Sequence, residues 1–272
     1  MAEITAALVN ELRAATNLPM MKCKQALTAS NGDIQAAVEW LRKQGAAAGA
    51  KFGSRETPCG ATALAIGNGA GVAVLVGCQT DFVGKNDAFR AFVQKVADLA
   101  LASGADSVDA LNAQKLDGVA LPDAFIAQIQ KIGENIKLVA VKRVAGAAIA
   151  GYNHDGRIAA LVAGSGDAAK LKQVALHVAS ANPVPVALDR AAVDPALIEK
   201  EKEIIAATPE VQAKPEAMRP KIVEGKLGRF FKESVLLEQE MLFDAEKGES
   251  VEKYAKRVAI TVGGFARLQA GQ

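Results

Sequence analysis

Groups able to do covalent chemistry are scarce in this sequence. Its 272 residues hold two histidines, three cysteines and one tryptophan. Cys23, Cys59 and Cys78 form no CxxC pair and have no histidine close by, so neither a disulfide framework nor a zinc site is read. A reduced, cytoplasmic protein is the simplest reading. Neither sign of charge dominates: the formal net charge is +2 and the pI about 8.3, which argues against a broad nucleic-acid footprint. No uncharged apolar run is long enough to span a membrane. The N-terminal "MAEITAALVNELRAAT" carries Glu3, Glu11 and Arg13 where a signal peptide would need a basic region and then an unbroken apolar one. Aromatics make up only 4% of the residues, while half of all residues are apolar, many of them alanine, which suits closely packed helices. The length exceeds the usual single domain, so two or more modules are expected.

Residues 1–45 read as three short helices. Ile4, Leu8 and Leu12 recur at four-residue spacing behind Thr5, a plausible N-cap. "NLP" breaks this helix, with Pro19 opening the next. Asp33 caps a third helix whose stripe is Ile34, Ala37, Val38 and Leu41, and Gly45 is expected to end it. Residues 46–60 lose periodicity and read as a linker. A strand, Thr62–Ile66, a "GNGAG" hairpin turn and a buried strand "VAVLVGCQ" follow. A helix capped by Asn86 then carries Phe89, Phe92, Val93 and Val96 on one face. "SVDALNAQKLDG" and "LPDAFIAQIQKIGENIKL" read as further short helices. The strand–turn–strand–helix pattern recurs roughly 80–85 residues later, too long an interval for a solenoid. The fold class expected is therefore α+β: residues 61–146 and 147–272 form two related subdomains, the second interrupted at 190–233 by an antiparallel helical arm with Pro209, Pro215 and Pro220 at its centre. "GGFARLQAG" reads as a last strand returning to the second sheet.

Several motifs invite a chemical reading. "GSGDAA", Gly164–Ala169, fits the G-x-G-x-x-A pattern of a dinucleotide site, with Asp189 about 20 residues on. Against it, Asp167 would place an anion where a pyrophosphate needs bare amides. The preceding strand also belongs to a hairpin rather than a parallel crossover. A turn with Asp167 as N-cap is the preferred reading. Gly84-Lys85 hints at a P-loop, but Gln79 stands where the first glycine is required and Asn86 where Ser or Thr is. Cys78 beside Asp81 has no histidine to act as its base. His154 lies in a turn and His177 on an amphipathic helix. No cofactor or metal site is read. Met20 and Met21 open the second helix on faces about 100° apart, so either one enters the small core while the other faces outward as an adaptable contact, or both pack in the core. At the end of the buried strand, Asp81 and Phe82 either cap and staple their own helix or project as a wedge, an apolar ring with an anion beside it.

The ordered segments "LRAATNLPMMKCKQALTASNGDI", "CQTDFVGKNDAF", "KIGENI" at 131–136 and "HVASANP" at 177–183 closely resemble the bacterial translation elongation factor Ts family. The resemblance spans about two-thirds of the chain. It implies a guanine-nucleotide exchange factor, not an enzyme of covalent chemistry, whose partner is elongation factor Tu in its GDP or nucleotide-free form. It implies a ubiquitin-associated-like three-helix domain at 1–45 and a coiled-coil arm. Thr80, Asp81, Phe82 and Val83 would form the element linked to displacing the partner's magnesium. Leu12, Met20, Met21, His177, Asn182 and Pro183 would lie in the partner-binding surface. No nucleic acid or membrane partner is implied, and homodimerisation through the arm stays open. Without the resemblance, the rivals are a nucleotide-binding enzyme built on Gly164–Ala169 and a UBA-like adaptor. Some family members carry a C-terminal helical module beyond the point where this chain stops, at Gln272.

Overall fold

The computed structural model describes residues 3–16, 18–67 and 69–271. Asn17 of the "NLP" break and Asn68 of the hairpin turn lie outside the described residues. By internal contact the chain divides into two units. One comprises Met1–Ala63, Val74–Val141 and Gln269–Gln272; the other comprises Leu64–Ala73 and Lys142–Leu268.

The first unit begins with helices α1 (Ala6–Thr16), α2 (Met20–Ala29) and α3 (Ile34–Gly53). Caps form where local sequence favours them. Thr5 Oγ1 accepts from Leu8 N at 3.3 Å, and Asp33 Oδ1 from Ala36 N at 2.9 Å. Val9, Leu12, Leu18, Cys23, Leu27, Ala37 and Leu41 make a small core of their own.

Gly45 does not end α3, and residues 46–53 are helical rather than linker. The glycine is there for packing. A Cβ on Gly45 would stand 2.7 Å from Ile126 Cγ2 and 2.8 Å from Gln130 Nε2 of α7 (Leu121–Ile132). Contact with α7 offsets the roughly 1 kcal/mol that a mid-helix glycine costs.

Strands β1 (Cys59–Gly67) and β2 (Ala70–Cys78) form the expected hairpin, and β2 is buried along its whole length. A third strand, β5 (Lys137–Ala145), lies beside β2 in the order β1-β2-β5. Its burial, not its sequence, alternates at the start: Lys137 and Val139 are exposed while Leu138 and Ala140 between them are half-buried. After β2 come a five-residue helix, α4 (Asp81–Lys85), and α5 (Asp87–Ser103), whose predicted face Phe89, Phe92, Val93 and Val96 is buried. The "KLDG" stretch is not helical. It follows α6 (Val108–Asn112) as a tiny hairpin of β3 (Lys115–Leu116) and β4 (Val119–Ala120), because Asp117 and Gly118 take positive φ.

The second unit repeats the plan. Strand β6 (Ala148–His154) pairs antiparallel with β7 (Ile158–Ser165), and β8 (Thr261–Gln269) completes the sheet in the order β6-β7-β8. Helix α8 (Ala168–Ser180) packs on β6 and β7, with Leu171, Val174 and Val178 meeting Ala150, Ala160, Val162 and Tyr254. The arm consists of α9 (Pro195–Ala207), α10 (Pro209–Gln212) and α11 (Arg219–Ser234). Helices α9 and α11 run antiparallel, with Ile198 near Phe231 and Ile205 near Leu227. Its prolines start helices: Pro195 and Pro209 open α9 and α10, and Pro220 sits in the first turn of α11, where its missing N–H costs nothing. Helix α12 (Val251–Arg257) closes over the core through Tyr254. Among the described residues no helix is long and apolar enough to cross a membrane.

Candidate functional site

The residues after β2 form a rigid, exposed tip. Thr80, not Asp81, is the N-cap of α4: its Oγ1 accepts from Val83 N at 3.4 Å. Thr80 also anchors the base. Its carbonyl accepts from Cys78 Sγ at 3.1 Å and from Gly84 N at 3.3 Å. The far end is held by Arg90 Nε, which donates to Gly84 O at 3.1 Å, and by Asn86, whose Oδ1 accepts from Phe89 N at 3.1 Å to cap α5. Gly84 seats the helix on β1, since a Cβ there would stand 2.8 Å from the carbonyl oxygen of Gly60. The "GK" pair is therefore a packing feature and not a phosphate loop.

Phe82 is 81% exposed, so its ring does not staple its own helix. Asp81 is exposed beside it, and Lys85 Nζ donates to its Oδ2 at 2.8 Å. That hydrogen bond, then the charge of Lys85, holds the Asp81 carboxyl below its ordinary range, so it is ionised at neutral pH. Val83 is half-buried. Burial first, then the nearby Glu134 carboxylate, pushes the Cys78 thiol up to about 12, so it stays protonated and un-nucleophilic.

Sequence reasoning missed Glu134. Its Oε2 accepts from Gln79 N and Thr80 N, both at 3.1 Å, and its Oε1 accepts from Thr80 Oγ1 at 2.7 Å. The signal was the "GEN" after α7. Gly133 takes φ +84°, where a glycine is favoured, and turns the chain so that Glu134 faces the end of β2.

On α2, Met20 and Met21 are both exposed, at 50% and 65%, and neither enters the small core. Two of the expected partner-binding side chains are not at the surface. Leu12 is fully buried in the three-helix core, because its α1 stripe faces α2 and α3. His177 is 1% exposed on α8. Leu242 N donates to its Nδ1 at 3.3 Å, which leaves the proton on Nε2 to be donated to Gln239 Oε1 at 3.0 Å. Gln239 Nε2 in turn donates to Pro183 O at 2.9 Å and Glu233 O at 2.7 Å. Burial lowers the His177 pKa, and the Gln239 bond opposes this in part. Asn182 and Pro183 are exposed and share with His177, Gln239 and Leu242 an open depression of about 390 Å³.

The Gly164–Ala169 turn is a strand-to-helix cap. Asp167 Oδ1 accepts from Ala169 N at 2.7 Å, and β7 lies between antiparallel β6 and β8 without a parallel crossover. The amide a phosphate would need is already taken.

The tip thus presents an exposed ring and an ionised carboxylate on a short helix anchored at both ends, and the Gly164–Ala169 turn is occupied by its own cap. The profile of the family described as Elongation factor TS matches residues 79–272. Proteins named elongation factor Ts share the whole length. That of Ruegeria pomeroyi is 41% identical over 99% of this chain and 93% of its own; that of Nitrobacter hamburgensis is 40% identical over 100% and 94%. That of Gluconobacter oxydans is 41% identical over 100% and 93%. The chain belongs to the elongation factor Ts family.

Proposed function

We propose that this chain is the guanine-nucleotide exchange factor for elongation factor Tu in translation elongation, working in the bacterial cytoplasm without a cofactor of its own. The observation that carries this reading is Phe82, 81% exposed on a five-residue helix anchored at both ends. Holding so large an apolar group in water on a fixed support makes sense if a partner covers it.

A GTPase grips GDP through phosphate contacts and Mg²⁺. An exchange factor binds the nucleotide-free state more tightly than the loaded one, and by linkage GDP weakens the factor's binding by the same ratio. Phe82 wedges between helices near the partner's metal site and shifts the residues and waters that hold Mg²⁺. The ionised Asp81 acts on polar groups around the same site. Once Mg²⁺ is lost, the phosphate charge is under-neutralised and GDP leaves. Met20 and Met21, on the three-helix module, supply adaptable apolar contacts for docking. Asn182 and Pro183 offer a second contact area, whose backbone is held by the buried Gln239–His177 pair. The three-helix module, the two subdomains and the arm divide the labour between docking and displacement.

The test is direct. Elongation factor Tu loaded with fluorescent GDP is mixed with the chain and release is followed by stopped flow. Faster release, rising to saturation with chain concentration, is expected. An unaltered dwell time overturns the proposal, and binding without faster release would assign the chain to the adaptor class instead.

A further inference from the structure

We propose that Glu134 is a positioning residue for the exchange element: its carboxylate sets the direction in which Phe82 leaves the surface. This rests on the exchange reading above, and it assigns a role to a residue 54 positions from Thr80 in sequence.

The geometry is specific. One carboxylate takes three donors from two successive residues: the amides of Gln79 and Thr80 at 3.1 Å each, and the Thr80 hydroxyl at 2.7 Å. The hydroxyl proton is thereby committed, which leaves a Thr80 lone pair for Val83 N, the cap of α4. Glu134 thus acts on the tip through Thr80. A helix of five residues is far below the length that holds itself together in water, so its direction is set by its anchors. Glu134 is itself on a fixed support. Gly133 N closes α7 on Ile129 O at 2.8 Å, and the neighbouring Asn135, 3% exposed, donates Nδ2–H to Arg55 O at 2.7 Å. The charged acceptor makes these bonds stronger than neutral ones.

Without the carboxylate, the Thr80 side chain and the 79–80 backbone regain freedom that must be lost again whenever Phe82 enters the partner. The loss falls on the displacement step. Docking through Met20 and Met21 on α2 does not use this bond network.

The experiment measures GDP release from elongation factor Tu against chain concentration for wild type, Glu134→Ala, Glu134→Gln, Thr80→Val and Phe82→Ala. Glu134→Ala is expected to lower the saturating rate about tenfold, the order of effect of freeing one backbone residue. The half-saturating concentration stays within about twofold. Glu134→Gln, which keeps one acceptor oxygen, falls between; Thr80→Val lowers the saturating rate with the same split. In a Phe82→Ala background, Glu134→Ala adds less than about twofold, because the ring it aims is gone. A wild-type saturating rate in Glu134→Ala overturns the proposal. So does a loss confined to half-saturation, or a full independent loss in the Phe82→Ala background. If melting shows that Glu134→Ala is unfolded, Glu134→Gln and Thr80→Val carry the same test, and wild-type rates in both overturn it. Failure of the underlying exchange reading looks different: wild type itself accelerates nothing, or Phe82→Ala releases GDP as wild type does.

Discussion

Replacing Phe82 by alanine separates folding from function, because the ring is mostly outside the fold. A phenylalanine side chain can bury roughly 200 Å². With Phe82 81% exposed, about 160 Å² of that is still available to a partner. At ~25 cal/mol per Å², complete coverage would contribute up to ~4 kcal/mol, and truncating a central interface aromatic costs about 2 kcal/mol or more. Two kcal/mol corresponds to about a thirtyfold change in rate or affinity. Phe82→Ala is therefore expected to slow catalysed GDP release tenfold or more, read by stopped flow with fluorescent GDP on elongation factor Tu. The free chain should barely notice: an exposed substitution stays within ~0.5 kcal/mol, a shift of a degree or two in Tm. A wild-type release rate refutes the wedge. A collapse of Tm refutes the premise that the ring stands free of its own core.

Three further outcomes follow from other parts of the molecule. Met21→Ala should raise the dissociation constant for elongation factor Tu several-fold by calorimetry while leaving Tm unchanged, since Met21 is 65% exposed; an unchanged constant would remove α2 from the docking surface. Gly84→Ala should cost about 1–3 kcal/mol in denaturant unfolding, because the added Cβ meets a backbone oxygen 2.8 Å away that cannot swing aside; a neutral result would mean α4 can lift off β1 freely. Stability should also fall as pH drops below about 6.5. There the unfolded chain protonates His177 while the folded chain resists, so the unfolded state binds more protons and stability rises with pH at up to ~1.4 kcal/mol per unit. The Gln239 hydrogen bond limits the effect, and His177→Gln should flatten the profile between pH 7 and 5.5; an unflattened slope assigns it to other groups.

Local rules made much of this chain legible. Thr5, Asp33, Asn86 and Asp167 cap helices within two or three residues of themselves, and such bonds are written in the spacing. The stripes on α1, α3 and α5 followed from the helical period of 3.6, and the two hairpins from apolar runs on either side of a turn. So did the preference for an Asp167 cap over a phosphate turn. The four quoted segments were enough to mark the family.

Tertiary structure decided the rest, because the deciding contacts join distant residues. Gly45 reads as a stop until α7 is packed against it, and then its missing side chain is what lets α3 continue. Whether Phe82 staples or projects depends on its surroundings, which no spacing encodes; folding leaves it in solvent. The family resemblance implied partner contacts for His177 and Leu12, yet burial against residues far away in sequence takes their side chains from the surface. Glu134 is one unremarked letter in "KIGENI" until the end of β2 arrives beside it. A sequence records its short-range bonds directly, but which side chain meets which across tens of residues is set only when apolar faces close on one another.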